Sequence, residues 1–524
     1  MKNYKYIYII LILGLQSILT SSVILETSFL SGNNSDLLYP AMFLSDIQNN
    51  FIFLQDWVLT PSPYFFPDLL LYFLIDRGDI GTSIFIYVYI FSLSLFYLVS
   101  NMILNAEKQF QLSDVLLIFM VTNVFLLSNN KLCFFYSPVY HSSIYLFGIF
   151  LIIHKNSLNR KVIILIYFLS FLFGLSDPFV LLQIIIPLIF YSLISNFNDK
   201  HLLKSNLTFY IKVFLFSILG KLFISGLHKN KMIIVPEVPI FKTFLYILKN
   251  FLFIDNLTKS FHYFLYDFFE VKILYIIILI FIFLFIFDKK QTKIEIFWTF
   301  LFTTLLLFIF QGWFGLWIGY RYMWFFYIFP LSYIVYYILL KFNFFSISKD
   351  KIQSSNIFKK EHIIISLSII ILIFQFFLFQ KSIETIFNFY IKDTETIELN
   401  LSSNNLVNYK TQKIVPEVII CITNLSKKYN LKKGISDYWN AKYITFFSNN
   451  QLLINQYTSE LEEYYWINNK NNYKNNDEYL IYNFIITNRL NESKILEFIG
   501  IPDFKEKCGE NNIWIYKNNF QLIQ

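Results

Sequence analysis

Residues 82–104 read TSIFIYVYIFSLSLFYLVSNMIL, 23 residues without one charge. About 20 mostly apolar residues suffice to cross the hydrocarbon core of a bilayer, so this stretch predicts a transmembrane helix. Comparable runs lie near 6–25, 113–129, 138–153, 161–176, 178–195, 207–227, 272–287, 296–313, 320–340 and 363–380. The expected fold is mainly α, a polytopic membrane protein of about 11 transmembrane helices. Lys2 and Lys5 give the first run the look of a signal peptide. Its apolar core is long and no small-residue cleavage site follows, which favours retention.

Composition agrees with that reading. The chain is 56% hydrophobic and only 15% charged, whereas soluble domains are about 25% charged. With 14 glycines in 524 residues, collagen-like and Gly-rich linker readings are excluded. The 64 phenylalanines, with the Ile, Asn, Lys and Tyr excess, also reflect the drift of an AT-rich genome. The net charge of +8 reports topology rather than a nucleic-acid partner, because Lys and Arg gather in cytoplasmic loops.

Loop charges alternate accordingly. One set carries Lys108, then Lys155, Arg160 and Lys161, then Lys200 and Lys204, then Lys289, Lys290 and Lys293, then Lys341, Lys349, Lys351, Lys359 and Lys360. The opposite short loops carry little beyond Arg77, Lys131 and Arg321. By the positive-inside rule the N-terminus is cytoplasmic and the C-terminus outside, which requires an odd number of spans.

The chain divides into a membrane domain, 1–394, and a tail, 395–524. Within the first, the outer loop 26–81 holds Asp36, Asp46, Asp56, Asp68, Asp76 and Asp79 among aromatic and Pro residues. Short helices along the membrane face suit it. Segment 228–271 contains VPIFKTFLYILKNFLF, where two lysines make an interfacial helix a better reading than a span. The tail is richer in Asn, Lys, Glu and Tyr. Its β-type runs YLIYNFIIT and NIWIYK alternate with the helix-like ESKILEFIG, which predicts a small extracytoplasmic α/β domain. The Asn/Lys stretch 468–477 reads as a loop.

No Walker loop, GxGxxG, HExxH, CxxC pair or GxSxG is present. Attention falls on polar residues at special depths. Asp36, about a dozen residues after the first span, either caps a helix beginning at Leu37 or serves as a general base or a ligand to a divalent cation. Asp68, after Pro67, reads first as a helix start. Asp177 before Pro178 marks a turn at the same outer face and is also a candidate to line a site. His141, at the outer end of the fourth run, reads as an interfacial residue or a site residue. Arg321, between Tyr320 and Tyr322, suits bidentate phosphate binding or snorkelling to headgroups. Lys229 and Lys231 are placed to share a phosphate. In the tail, GISDYWNAK and YYWINN supply Trp439 and Trp466, either as sugar platforms or as core. Cys421 and Cys508 both fall in this tail, and an oxidising compartment would allow them to pair. Cys133 is then unpaired.

The first outer loop with Asp36, about a dozen helices and a soluble outer domain make the chain resemble the GT-C type polytopic membrane glycosyltransferases. More narrowly it resembles a group of bacterial inner-membrane proteins with this layout. The segments that carry the likeness are SDLLYPAMFLSDI, WVLTPSPYFFPDLLLYFL, SDPFVLLQ, GYRY, GISDYWNAK, YYWINN and NFIIT…CGENNIWIY. The resemblance implies that Asp36 stands where GT-C enzymes keep a catalytic acid. The expected reaction is transfer of a sugar from a polyprenyl-phosphate donor to an envelope acceptor, for which the residue types put Arg321 and Lys229 on the donor phosphate. Many GT-C members pair this Asp with a second acid, whereas Asp36 lies between Ser35 and Leu37. The loop after the third span, NNKLCFFYSP, holds no acid either, so metal dependence stays open. A transporter or flippase of lipid-linked glycans, or a non-catalytic envelope scaffold, is the alternative. Mid-membrane charges and breakers expected of a transporter are few: Lys212, Lys221, Pro187 and Pro330.

Overall fold

The computed structural model describes residues 4–236, 324–341, 354–392 and 416–522, with Thr258, Thr303 and Leu306, and without short stretches at 31–33, 50–54, 77, 107–109, 130–131, 156, 196–198, 449–451, 476–477 and 480. The chain is mainly helical. Its first helices are α1 (Tyr4–Leu25), α2 (Tyr39–Asn49), α3 (Leu70–Ile75), α4 (Ile80–Ala106), α5 (Leu112–Leu127) and α6 (Ser143–His154). Then come α7 (Arg160–Ser176), α8 (Ile186–Ser195), α9 (Lys200–Lys229), α10 (Trp324–Lys341), α11 (Ser354–Leu378) and α12 (Gln380–Lys392). The tail adds α13 (Glu417–Tyr429), α14 (Tyr438–Phe447) and α15 (Glu492–Phe498).

Three described helices are long and apolar enough to cross a membrane: Tyr6–Ser28, Ile80–Asn105 and Lys200–Lys229. A fourth arises if His362–Leu378 and Gln380–Ile386, bent by 66°, form one broken span. This is fewer than the 11 expected from hydropathy, partly because several apolar runs build shorter helices. Run 138–153 yields only the 12 residues of α6, roughly 18 Å against a hydrocarbon core of about 30 Å. Val139 and His141 have φ of 60° and 62°, outside the right-handed helical region, so the helix cannot start before Ser142. Spans expected at 272–287 and 296–313, the start of that at 320–340, and segment 228–271 beyond Pro236 lie, apart from those single residues, outside the described residues.

Small residues bring α7 and α9 together. A Cβ at Gly174 would overlap the Ser217 carbonyl, and one at Gly220 would overlap the Phe171 carbonyl. Ser217 Oγ donates to the Ser170 carbonyl across the same seam at 3.0 Å. Close backbone approach through small residues is how helices associate without a hydrophobic driving force.

The loop 26–79 spreads over one end of the bundle. The Tyr64 amide donates to the Ser176 carbonyl at the end of α7, and the Leu59 amide donates to the Ile234 carbonyl just past α9. The Val139 amide, just before α6, donates to Asp68 in the same loop. Lys155, Arg160 and Lys161 flank the opposite ends of α6 and α7, and Lys200 and Lys204 begin α9. These basic residues lie at the end of the bundle away from the first loop, an end that Asp114 and Asp199 share, whereas Lys229 lies at the loop end.

The tail holds strands β2 (Lys433–Ser436), β3 (Leu453–Gln456), β7 (Tyr482–Ile486), β8 (Phe504–Cys508) and β9 (Asn511–Phe520). They form one sheet in the order β3-β2-β7-β9-β8. β2 runs parallel to both β3 and β7, while β9 runs antiparallel to β7 and β8. A disulfide joins Cys421 on α13 to Cys508 on β8, with Cα atoms 5.7 Å apart; Cys133 is buried and takes no part in it. The expected loop 468–477 is instead structured. Its β4 (Asn468–Asn469) pairs antiparallel with β1 (Trp57–Val58) of the first loop, and β5 (Lys474–Asn475) pairs with β6 (Glu478–Tyr479). The β1–β4 ladder is backbone glue between regions more than 400 residues apart in sequence.

Candidate active site at the junction of the first loop and the C-terminal domain

Asp36 lies in a short 3-10 turn, Ser35–Leu38, whose N-cap is Asn34. It does not cap a helix starting at Leu37. Its Oδ1 accepts a hydrogen bond from the Tyr438 hydroxyl at 2.7 Å, and the neighbouring Ser35 Oγ donates to the Trp439 carbonyl at 2.6 Å. The C-terminal domain therefore presents the first turn of α14 to the turn that holds Asp36. Asp437 caps that helix, accepting from the Trp439 amide at 3.1 Å and from Asn440 Nδ2 at 2.6 Å.

One turn further along α14 stands Lys442, only 2% exposed. Its ammonium donates to the Ile467 carbonyl and lies 5.5 Å from the centroid of the Trp57 ring and 5.6 Å from that of Tyr438. Burial drives its pKa down to about 7, a shift opposed by Asp36 and Asp46. Asp46 accepts from the Trp57 indole N–H at 2.9 Å and from Asn469 Nδ2 at 3.3 Å. Burial, and then the Asp36 charge, push the Tyr438 phenol well above its ordinary value, so it stays a donor.

A second polar chain lies alongside. His141 Nδ1 meets Asp177 Oδ2 at 2.6 Å, and the opposite ring nitrogen, Nε2, meets the Tyr64 hydroxyl at 2.6 Å. Ser62 Oγ donates to Asp177 Oδ1 at 3.1 Å. Asp177 thus terminates α7 and fixes the imidazole, as a carboxylate orients a histidine in many sites. Tyr64 and His141 both hold positive φ, the kind of backbone cost that concentrates where geometry is over-determined. Asp68 is buried and ties segments together, accepting from the Tyr87 hydroxyl at 2.8 Å and the Val139 amide at 2.9 Å.

The two chains touch. Asn34 Nδ2 donates to the hydroxyl of Tyr140, the neighbour of His141. Tyr39, just beyond the Asp36 turn, donates to the Pro63 carbonyl beside Tyr64 at 3.0 Å. Asp36, Asp68, His141 and Asp177 are therefore gathered at one end of the bundle. Lys229 is exposed at the last turn of α9 and is not among the residues packed round Asp36. Arg321 and Tyr320 lie outside the described residues. Trp439 is half-buried, edge-on to Tyr438 at 4.9 Å, with the Arg489 guanidinium 5.9 Å from its ring centroid. Trp466 is half-buried against the main core, its carbonyl accepting from Gln456 Nε2.

Tyr64, Ser62, Tyr140 and Asp46 join the site without having been singled out as site residues from sequence. The available signal was the Pro-Ser-Pro-Tyr run, whose prolines fix the backbone. Among the described residues no group of three His, Cys, Asp or Glu is arranged to hold a metal. Asp36 accepts from the Tyr438 phenol, and the Lys442 ammonium lies 5.6 Å from the centroid of that ring. Comparison of the chain with protein-family models, with curated proteins and with solved structures finds no match.

Proposed function

We propose that the chain is a polytopic membrane glycosyltransferase that moves a sugar from a polyprenyl-phosphate-linked donor to an envelope acceptor. In this reading there are about 11 spans, the N-terminus is cytoplasmic, and the end bearing Asp36 and the C-terminal domain is extracytoplasmic. Lys155, Arg160, Lys161, Lys200 and Lys204, all at the end of the bundle away from the first loop, support that orientation. The disulfide in the C-terminal domain suits an oxidising compartment.

The observation that carries the reading is the half-buried Asp36 carboxylate, held by Tyr438 where the first loop meets the C-terminal domain. Asp36 takes the proton of an acceptor hydroxyl as the new C–O bond forms at the anomeric carbon. The bond from that carbon to the phosphate oxygen breaks, and polyprenyl phosphate departs with the electron pair. Arg321 is the cation assigned to that phosphate, because guanidinium binds phosphate bidentately. The rate then depends on positioning and charge stabilisation rather than on a covalent intermediate.

The test is Asp36→Asn, expressed in a strain lacking the native copy. Loss of an envelope glycan or glycolipid at normal protein level is expected. An unchanged envelope profile would remove Asp36 from the chemistry and the reading with it.

A further inference from the structure

Lys442 raises a question that packing does not answer. An ammonium taken fully out of water costs several kcal/mol unless well compensated, and a methionine of similar length would fill the same space without that cost. Its compensation is only partial: one backbone carbonyl, two aromatic faces, and two carboxylates on the facing loop. A charge kept at a cost to seating, beside a candidate acid, points to a role in the site.

We propose that Lys442 is a positioning residue for Asp36, its buried charge holding the Tyr438–Asp36 pair in place from the C-terminal domain. This deepens the glycosyltransferase reading and rests on it for its bearing on transfer. The groups facing the ammonium are Asp36 from the 3-10 turn, Asp46 from α2 and Tyr438 from its own helix. Trp57 and Ile467 face it with a ring and a carbonyl that do not titrate. With the charge in place, Asp36 and Asp46 both feel its field, and the Tyr438 ring, 5.6 Å from the ammonium, donates its hydroxyl to Asp36. Without it, two carboxylates are left facing a neutral side chain, and the 3-10 turn loses its electrostatic anchor.

The experiment uses the full-length protein and the variants Lys442→Met, Lys442→Arg, Trp57→Phe and Asp36→Asn. Amide hydrogen exchange is followed at 35–39 and at the β1–β4 ladder, 57–58 with 468–469. In Lys442→Met, exchange at 35–39 is expected to rise about tenfold, equivalent to about 1.4 kcal/mol, while the ladder stays as protected as in the parent. Lys442→Arg, which keeps the charge, restores 35–39. Tryptophan emission supplies a signature of the charge itself. The Trp57 component, taken as parent minus Trp57→Phe, should change with a midpoint near pH 7 and be flat in both Lys442 variants.

Unchanged exchange at 35–39 in Lys442→Met overturns the proposal. So does simultaneous loss of protection at the ladder, which would make Lys442 part of the seat and nothing more. Envelope analysis separates this from the parent reading. If Asp36→Asn abolishes product and Lys442→Met does not, positioning by Lys442 fails alone. If Asp36→Asn leaves product intact, the glycosyltransferase reading fails, and the exchange measurements still decide whether Lys442 places Asp36.

Discussion

The Tyr438 hydroxyl donates to Asp36 Oδ1 at 2.7 Å, joining residues 402 positions apart. A hydrogen bond to a charged group contributes about 1.5–3 kcal/mol, and this one adds to the β1–β4 ladder, the Ser35–Trp439 bond and the Asn469–Asp46 bond that join the two regions. Tyr438→Phe keeps the ring under Lys442 and removes only the donor. Exchange at residues 35–39 is expected to accelerate by roughly tenfold or more. Strand β7 at 482–486, inside the C-terminal sheet, should exchange as before. Equal acceleration in both segments would mean that the whole domain had been destabilised.

The buried His141–Asp177 contact, 2.6 Å long with both side chains at most 3% exposed, makes an unequal pair of variants. His141→Ala leaves the Asp177 carboxylate buried without its main partner, and breaking such a pair costs about 3–5 kcal/mol. Tyr64→Phe removes one hydrogen bond and is expected to cost about 0.5–1.5 kcal/mol. Thermal unfolding in detergent should rank them in that order. If the chain is one coupled network, the double variant will cost less than the sum.

How far the sequence could take one is clearest at these two clusters. Apolar runs located α1, α4 and α9, and the β-type runs of the tail located β7 and β9, because backbone pattern is local. Run 138–153 misled because Val139 and Tyr140 count as apolar while the backbone around them turns left-handed; hydropathy has no term for φ. Asp36 stood out by its position after the first run. Its partner did not: Tyr438 and Lys442 were visible in GISDYWNAK only as a patch of aromatic and polar residues, and no local rule says which face meets residue 36. The lone lysine in the apolar stretch YWNAKYITFF was the usable hint. Ser62 and Tyr64 carried no hint beyond the flanking prolines, since their partners Asp177 and His141 lie 115 and 77 residues away.

The disulfide between Cys421 and Cys508 closes a loop with a separation of 87 residues. In the chain-entropy account a loop of that size contributes roughly 4–5 kcal/mol. Cys421→Ser is expected to lower the unfolding temperature of the C-terminal domain and to raise its susceptibility to protease. Maleimide labelling of the denatured, unreduced parent should find one thiol, Cys133, and labelling of the native protein none, since Cys133 is buried. Three reactive thiols in protein taken directly from cells would place the domain in a reducing compartment, against the orientation proposed.

The seam between α7 and α9 has no room for a side chain. Gly220→Leu must push the Phe171 carbonyl and the Leu175 amide of α7 away from α9, so the helices separate and the Ser217–Ser170 bond breaks with them. Overpacking of this kind costs about 1–3 kcal/mol or more. Membrane-inserted protein should fall several-fold, whereas Gly226→Leu, where a Cβ meets nothing, should accumulate normally.

Lys442 makes seating of the C-terminal domain depend on pH in a defined sense. Seated, its pKa falls from the ordinary 10.5 to about 7; unseated, it is in water and returns to the ordinary range. The seated state therefore holds fewer protons between those values, and a state that holds fewer protons gains stability as pH rises. Seating is weakest below about pH 7, strengthens up to about 10.5 and is level beyond, with a steepest slope of roughly 1.4 kcal/mol per pH unit. Lys442→Met carries no such term. Measured at the β1–β4 amides and corrected for intrinsic exchange, protection in the parent should rise from pH 7 to pH 10 while that of Lys442→Met stays level, so the gap between them changes with pH. A gap that stays constant with pH would show that the ammonium keeps its ordinary pKa when the domain is seated, and therefore that water reaches it there.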